Sequence, residues 1–433
     1  MSKQHSQQSV LQSIFTILTR RVKRSAQPTS HLQHPTTNDR DAWRTYWKTC
    51  GQSWRTEPEI DPERQKFLTQ RLGVVPNIEK GIYPFKEMKL DRADVEWLLA
   101  THDNGQGPIN WDDEHQRSRE GLDLRGADLS DTSLRNLPLA KLQGGLTRDN
   151  WSRATPEQRH MAAIHLERAI LTYAHLEGSI LTHAHLQGVD LGVAHLEGID
   201  ALEAHFEAPV PANFRGAYFD ASTKLDSSTI ANDKHVGIRL LDVRWGDVNL
   251  TGLDWSSVQT LYNEHHAQSK ATSDGKLKSR ARRDRDYREA VRAYRQLSVG
   301  LQQQGLNEDA ARFAYRGQKL QRVVFRRQGK VGQYLFSWFL FLLAGYGYKP
   351  WHSFLAYLLV IGAFMVIYHL LDPPLAWTEA FVVSMTAFHG RGFSPSTFVP
   401  GDPLSFVSAA EAFVGLVIEV TFIATLTQRF FGR

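Results

Sequence analysis

The chain has 433 residues and a formal net charge of +5, and this length predicts at least two domains. A single cysteine, Cys50, excludes an internal disulfide framework. The mean hydropathy is negative, −0.38, although apolar residues crowd the last quarter of the chain. We therefore expect a water-soluble part followed by a membrane part.

Two segments precede the first repeats. Residues 1–40 are rich in Gln, Ser and Thr and are predicted to be disordered. They include a basic amphipathic stretch, which is either a membrane-surface helix or part of a solvated tail. Residues 41–120 carry tryptophans and helical patterning, and they are predicted to form a small helical cap domain.

A five-residue period marks residues 121–260, beginning as LDLRG-ADLSD-TSLRN-LPLAK. The central apolar residues of its second run are Leu166, Leu171, Leu176, Leu181, Leu186, Leu191, Leu196 and Phe206. A period of five fits neither a lone helix nor a lone strand. Each pentad is predicted to form one side of a four-sided coil, with the Leu and Ala positions stacked inward.

This A-x-L pattern resembles the pentapeptide-repeat family, whose fold is a right-handed quadrilateral β-helix. The resemblance covers roughly residues 120–227, with an outlying piece near 243–257. The predicted fold class is thus multidomain: a right-handed quadrilateral β-helix, the pentapeptide-repeat solenoid, plus an all-α two-TM pore domain with a re-entrant pore helix.

Histidine precedes the central residue at every second repeat of the second run: His165, His175, His185, His195 and His205. In a four-sided coil these positions alternate between opposite faces, which predicts two ladders of outward imidazoles. One interpretation is a metal-binding or pH-sensing ladder. The favoured interpretation is duplication of a ten-residue unit on a solvated face, with no metal site and no cofactor.

Residues 261–286 are basic and of low complexity, and they are predicted to form a linker. Two helical patterns flank a Gly305-Leu306-Asn307 turn, so residues 287–330 are predicted to form a helical hairpin.

Two apolar segments, 351–371 and 404–426, are each long enough to span ~30 Å of hydrocarbon at ~1.5 Å per residue. Between them, residues 375–388 are apolar but shorter, and a glycine-bearing stretch, 389–395, follows. Irregular backbone at membrane depth is tolerated only where it lines water or is buried in protein. The pattern predicts two spans, with a pore helix and a filter-like loop between them.

Basic residues flank this region on both sides: Arg326, Arg327 and Lys330 before it, and Arg429 and Arg433 after it. An even number of spans keeps both basic ends in the cytoplasm, as the positive-inside rule requires. The third apolar run, 331–348, is therefore predicted to lie on the cytoplasmic leaflet as an interfacial helix. We expect a multi-pass protein of the cytoplasmic (inner) membrane, with both termini cytoplasmic.

Residues 331–433 resemble the pore domain of two-helix potassium-channel-like proteins, and pentapeptide-repeat proteins with such a domain are a bacterial type. The resemblance implies a homotetramer whose loop forms the filter, which reads T-x-G-[YF]-G-D in that family. Matching Ser384 and Phe388 to the end of the family's pore helix places residues 390–395 on the filter. A second register lays residues 390–392 over G-[YF]-G. The implied ion pathway comprises Thr386, Phe388, His389, Gly390, Arg391, Gly392, Phe393 and Ser394.

The filter departs from the family pattern in the favoured register. Gly390 stands for the filter threonine, Ser394 for its second glycine and Pro395 for its aspartate. A left-handed conformation would cost a non-glycine residue such as serine ~1–2 kcal/mol. Potassium selectivity is therefore not implied.

Arg391 leaves two interpretations open. Four arginines facing the axis would favour an anion pore. If backbone carbonyls face the axis instead, Arg391 points behind the filter and needs a partner there, because an unpaired buried charge is costly. Glu411 is the favoured partner and Glu379 the second candidate, so both are predicted to support the filter.

Glu419 lies four residues after Gly415, deep in the second span, where a carboxylate is rare unless it faces water or a pore. Inward-rectifier potassium channels are similar, with a hinge glycine followed by an acidic cavity residue. The resemblance implies that Gly415 is the gate and Glu419 a cavity residue, which favours cations. The alternative for Glu419 is a bond within a helix–helix contact.

The favoured function is a cation-conducting channel subunit whose solenoid binds an unknown cytoplasmic ligand or partner. The second is a membrane-tethered scaffold, because some pentapeptide-repeat proteins bind topoisomerases through an acidic surface. The acidic residues here are Glu167, Glu177, Asp190, Asp200 and Glu207. An enzyme is not expected, since the histidines follow the repeat, and neither is a nucleic-acid partner.

Overall fold

The computed structural model describes residues 34–36, 38–207, 209–272, 275–372, 374–390 and 403–431. Most of the predicted disordered segment, 1–40, lies outside these residues. The chain forms two compact units, Met1–His266 and Ala267–Arg433.

Among the described residues, three α-helices precede the repeats: α1 (Arg40–Thr49), α2 (Pro62–Leu72) and α3 (Arg92–Gly105). Each begins after an aspartate whose carboxylate accepts a backbone N–H of the first turn: Asp39, Asp61 and Asp91. Such caps satisfy donors that have no partner within the helix. Trp43, Trp47 and Leu98 are buried, so the tryptophan-rich segment has an apolar core.

The repeats form a four-sided parallel coil. Single-residue parallel bridges join His165 to His185 and His185 to His205, and this spacing means that four pentads make one turn. The inward positions are almost fully buried; Leu166, Leu171, Leu176, Ala169 and Ala174 are each at most 1% exposed. The stack is thus stabilised by apolar burial along its axis. A β-solenoid of pentapeptide repeats, as the sequence predicts, is the architecture of this region.

Two short helices interrupt the coil: α4 (Arg148–Arg153) and α5 (Pro156–Ala162). Both helices lie within the predicted solenoid, 121–260, between the first and second runs of repeats, where no helices were predicted from the sequence. Thr147 and Thr155 cap the two helices, and the backbone N–H of Ile164 rejoins the coil by donating to the carbonyl of Gly144 (2.8 Å). The solenoid ends with a parallel pair, β1 (Val236–Gly237) and β2 (Thr260–Leu261).

The predicted linker, 261–286, is largely structured. It contains α6 (Tyr262–Gln268) and the first turns of α7 (Arg280–Gln303), which pairs with α8 (Asn307–Arg327). Lys278 and Asp286 form a buried ion pair (2.8 Å) that the low-complexity interpretation overlooked. Because a buried charge needs a partner, this pair fixes the start of α7.

Four apolar helices end the chain: α9 (Val331–Ala344), α10 (Pro350–Leu371), α11 (Trp377–Phe388) and α12 (Pro403–Phe431). A 3-10 turn, Gly345–Gly347, ends α9. By length and composition, two stretches are suited to crossing a membrane, Trp351–Leu371 and Pro403–Thr427. The prediction of an all-α C-terminal region with two long apolar helices is confirmed.

Candidate pore region

The short helix α11 packs against both long helices. Ser384, fully buried at its centre, donates to the carbonyl of Ile361 on α10 (3.0 Å) and to the carboxylate of Glu411 on α12. Phe388, at its C-terminal end, is 1% exposed, and the ring of Tyr357 on α10 meets it edge-on at 4.8 Å. A single hydroxyl therefore ties the three helices together.

Gly415, the predicted gate, lies against the end of α11. A Cβ atom there would stand 2.1 Å from the carbonyl oxygen of Phe388, closer than any van der Waals contact allows. Glycine permits this close approach of a helix to another backbone. Its position thus gives Gly415 a packing role, beside the hinge role that the resemblance implies.

Glu411 is fully buried. Ser384 hydrogen-bonds one carboxylate oxygen, and the buried hydroxyl of Tyr368 on α10 lies beside the carboxylate as a second neutral donor. Removing a carboxylate from water costs free energy that neutral donors only partly offset.

Glu419 contacts His389, the residue that ends α11. Both side chains are more than a third exposed, and Nε2 of His389 lies 3.4 Å from the hydroxyl of Tyr357. Glu419 thus takes part in a contact between helices, as in the alternative that the sequence left open, and its place in a cavity stays a prediction.

Two further predicted residues are engaged within α11 itself. The carboxylate of Glu379 accepts the backbone N–H of Ala376 (3.1 Å) and so caps the start of the helix. The hydroxyl of Thr386 donates to the carbonyl of Val382 (2.9 Å). In this chain Glu379 thus has a local role that does not require Arg391.

Four predicted filter residues, Arg391, Gly392, Phe393 and Ser394, lie outside the described residues. Gly390, the last described residue before them, has a left-handed φ of 63°. The Arg391–Glu411 pair stays a prediction.

Sequence reasoning missed the polar contacts that hold α10. His369 stacks on Trp377 (4.0 Å between ring centroids), and its Nδ1 lies 2.8 Å from the carbonyl of Leu375. Ser353 donates to the carbonyl of Leu343 on α9 (2.8 Å). The sequence signal for these contacts was the presence of single polar residues, His369 and Ser353, within an apolar segment.

The histidines of the solenoid form two columns. His165, His185 and His205 stack on one face, with ring centroids 4.5 and 5.6 Å apart, and His175 stacks on His195 on another at 4.6 Å. The carboxylates of Glu167 and Glu207 raise the pKa values of His165 and His205 by hydrogen bonding. Burial lowers the pKa of His185 to about 4. The expectation of a purely solvated face does not describe these paired, half-buried rings.

Comparison with known proteins bears on the solenoid. The family described as pentapeptide repeats matches residues 161–198, in eight copies. This chain contains a pentapeptide-repeat domain. No curated protein matches the chain.

Solved structures of pentapeptide-repeat proteins resemble part of it. HetL, involved in heterocyst differentiation regulation in the cyanobacterium Nostoc, is 19% identical over 36% of this chain and 55% of its own length, with a TM-score of 0.16. This chain thus spans about half of HetL. A pentapeptide repeat protein of the Arabidopsis thaliana thylakoid lumen is 18% identical over 40% of this chain and 92% of its own, with a TM-score of 0.13. QnrB1, a plasmid-mediated fluoroquinolone resistance protein, is 14% identical over 33% of this chain and 79% of its own length, with a TM-score of 0.16. Likenesses with TM-scores this low carry no functional argument.

Proposed function

We propose that this pentapeptide-repeat protein is a subunit of a homotetrameric channel in the cytoplasmic membrane. It conducts cations through a pore surrounded by the membrane helices of its four copies. Its cytoplasmic solenoid regulates conduction by binding a ligand or partner.

The observation that carries the proposal is the length and position of α11. Its 12 residues cover about 18 Å at ~1.5 Å per residue, too little to cross ~30 Å of hydrocarbon. It is nevertheless packed along two helices that are long enough, with Ser384 bonded to both. A short helix held between two longer apolar helices is the arrangement of a pore helix.

Apolar exposure supports a membrane setting and further subunits. Leu359 and Leu370 on α10 are 65% and 70% exposed, and Phe413 on α12 is 69% exposed. In water such surfaces would favour association. Lipid and neighbouring copies of the same helices would cover them.

Charge supports cations over anions. Glu419 and His389 lie partly exposed where α11 ends against α12, and an ionisable group within a span is stable when it faces water or a partner. In a tetramer, four copies of Glu419 would concentrate cations near the axis. A ring of Arg391 facing that axis would instead select anions.

The test is conduction by the full-length protein in liposomes under a salt gradient. We expect a reversal potential near the cation equilibrium potential, and a conductance several-fold lower for Glu419→Gln, because the ring loses its charge. Reversal near the anion potential would reject cation conduction.

Background flux from an intact tetramer would instead favour the membrane-tethered scaffold. The acidic surface invoked for that alternative is largely occupied: Glu167, Glu177 and Glu207 contact histidines, and Asp200 pairs with Arg148 (2.7 Å). These carboxylates are therefore poorly placed to imitate a nucleic-acid phosphate array.

A further inference from the structure

One face of the solenoid repeats the tripeptide His-Leu-Glu in consecutive coils. His175 bridges to His195 in the parallel ladder, so the glutamates two residues further on, Glu177 and Glu197, also lie in adjacent coils. Two imidazoles and the carboxylate of Glu177 thus meet at one place on the surface, with Glu197 beside His195.

The spacing of their polar atoms matches that of ligands around one metal ion. Nδ1 of His175 lies 2.8 Å from Oε1 of Glu177, and Nδ1 of His195 lies 3.2 Å from Oε1 of Glu197 and 3.9 Å from Oε1 of Glu177. Neighbouring ligand atoms around a tetrahedral zinc ion stand about 3.3 Å apart, given Zn–N and Zn–O distances of ~2.0–2.2 Å. The observed distances bracket that value. Because an imidazole binds a metal in its ring plane, one of the two parallel rings must rotate for both Nδ1 atoms to reach one ion.

The backbone ladder holds these groups in adjacent coils. The rings of His175 and His195 are 4.6 Å apart and 4° from parallel, and Tyr218 continues the stack at 4.5 Å. Glu177 is 4% exposed. The second carboxylate oxygens of Glu177 and Glu197 are buried and have no hydrogen-bond partner among the described residues. Buried carboxylate oxygens without donors are costly unless a cation balances them.

The opposite histidine column carries a related but poorer set. His165, Glu167 and His185 also lie within reach of one another, but the residue equivalent to Glu197 is Gln187. That face offers one carboxylate where the first offers two. It therefore neutralises less of a divalent charge.

We propose that His175, Glu177, His195 and Glu197 bind a divalent transition-metal ion, with Zn²⁺ the best-matched occupant. Imidazole ligands favour Zn²⁺ over Mg²⁺ and Ca²⁺, and two carboxylates make the occupied site neutral. Because a ligating imidazole must be unprotonated, binding weakens as the pH falls. The site ties consecutive coils of the solenoid together. It is independent of conduction by the membrane part.

The test uses the full-length protein in detergent after treatment with a chelator. Zn²⁺ affinity is measured by competition with a chromophoric chelator, and Co²⁺ is added separately to read coordination from its visible absorption. We expect the wild type to bind one Zn²⁺ tightly, to show tetrahedral Co²⁺ bands and to melt at a higher temperature with Zn²⁺.

The decisive pair of variants is Glu177→Gln and Glu167→Gln, the same change in the same tripeptide on opposite faces. Glu177→Gln is expected to weaken Zn²⁺ binding at least tenfold and to remove the Co²⁺ bands, whereas Glu167→Gln leaves the tight site within twofold. Equal effects of the two variants, or a wild type that binds no better than Glu177→Gln, would overturn the proposal. If Glu177→Gln does not fold, Glu197→Gln, at the more exposed carboxylate, takes its place with the same expected loss.

Discussion

At the scale of single residues, Gly415 and Glu411 determine how closely α11 packs against α12. Gly415 has no side chain where the backbone of α12 meets that of α11, and Glu411 places its carboxylate in a fully buried position. Both residues were predicted from the sequence, but for other reasons: Gly415 as a hinge and Glu411 as a partner of Arg391. Their contacts with Phe388 and Ser384 depend on the fold and have no signature in the spacing alone.

Gly415→Ala is expected to destabilise the membrane unit. Its methyl group would meet the carbonyl of Phe388, and overpacking of this kind costs about 1–3 kcal/mol. The matched control is Gly362→Ala on α10, where a Cβ atom meets nothing within 4 Å, so that alanine is neutral or slightly stabilising. Thermal unfolding of the two variants in detergent checks this. Equal melting temperatures would show that Gly415 is not a packing residue.

The Arg391–Glu411 pair predicts non-additive mutations. Arg391→Leu and Glu411→Leu are each expected to destabilise the tetramer by about 3–5 kcal/mol, because each leaves a buried charge without its partner. The double variant should lose far less than the sum. Glu379→Leu serves as control and should cost only ~1 kcal/mol through the lost helix cap. The measurement is the stability of the tetramer against denaturant for each variant. A loss in the double variant equal to the sum of the two single losses would contradict the Arg391–Glu411 pair.

At the scale of elements, the five-residue period predicted the coil, its inward Leu and Ala positions and the alternation of histidines between faces. The inserted helices α4 and α5 were missed because a break in a period does not say what fills it. Their caps, Thr147 and Thr155, were visible in the sequence. The start of α7 was missed because the Lys278–Asp286 pair is a tertiary contact within a stretch whose composition resembles a linker.

The contact between His205 and Glu207 makes the stability of the solenoid depend on pH. Hydrogen bonding to Glu207 holds the pKa of His205 above its ordinary value. The protonated histidine therefore contributes stability below that ordinary value, and the contribution is lost as the pH rises through the folded-state pKa. In the presence of a chelator, the wild-type melting temperature should fall more between about pH 6 and pH 8.5 than that of His205→Gln. Parallel curves would contradict the His205–Glu207 linkage.

At the scale of the whole molecule, composition separated a polar part from the apolar helices, which begin at Val331. The boundary between the two compact units falls earlier, at residues 266 and 267, so the polar helices α7 and α8 belong to the second unit. The positions of the apolar helices also followed from the sequence, since length and hydropathy set them. The sequence left the filter register open between two alignments, and Arg391, Gly392, Phe393 and Ser394 lie outside the described residues.

The central claim is that the segment between α10 and α12 enters the membrane and returns on the same side. Cysteine labelling tests it with an impermeant thiol reagent outside intact cells, using Cys50, the only native cysteine, as the cytoplasmic reference. We predict that Pro374→Cys and Pro403→Cys, each in a Cys50→Ser background, both react from outside. Val382→Cys, on α11, should stay unreactive, and Cys50 of the wild type should react only after permeabilisation. Reaction of the two proline positions from opposite sides, or ready labelling of Val382→Cys from outside, would contradict the account.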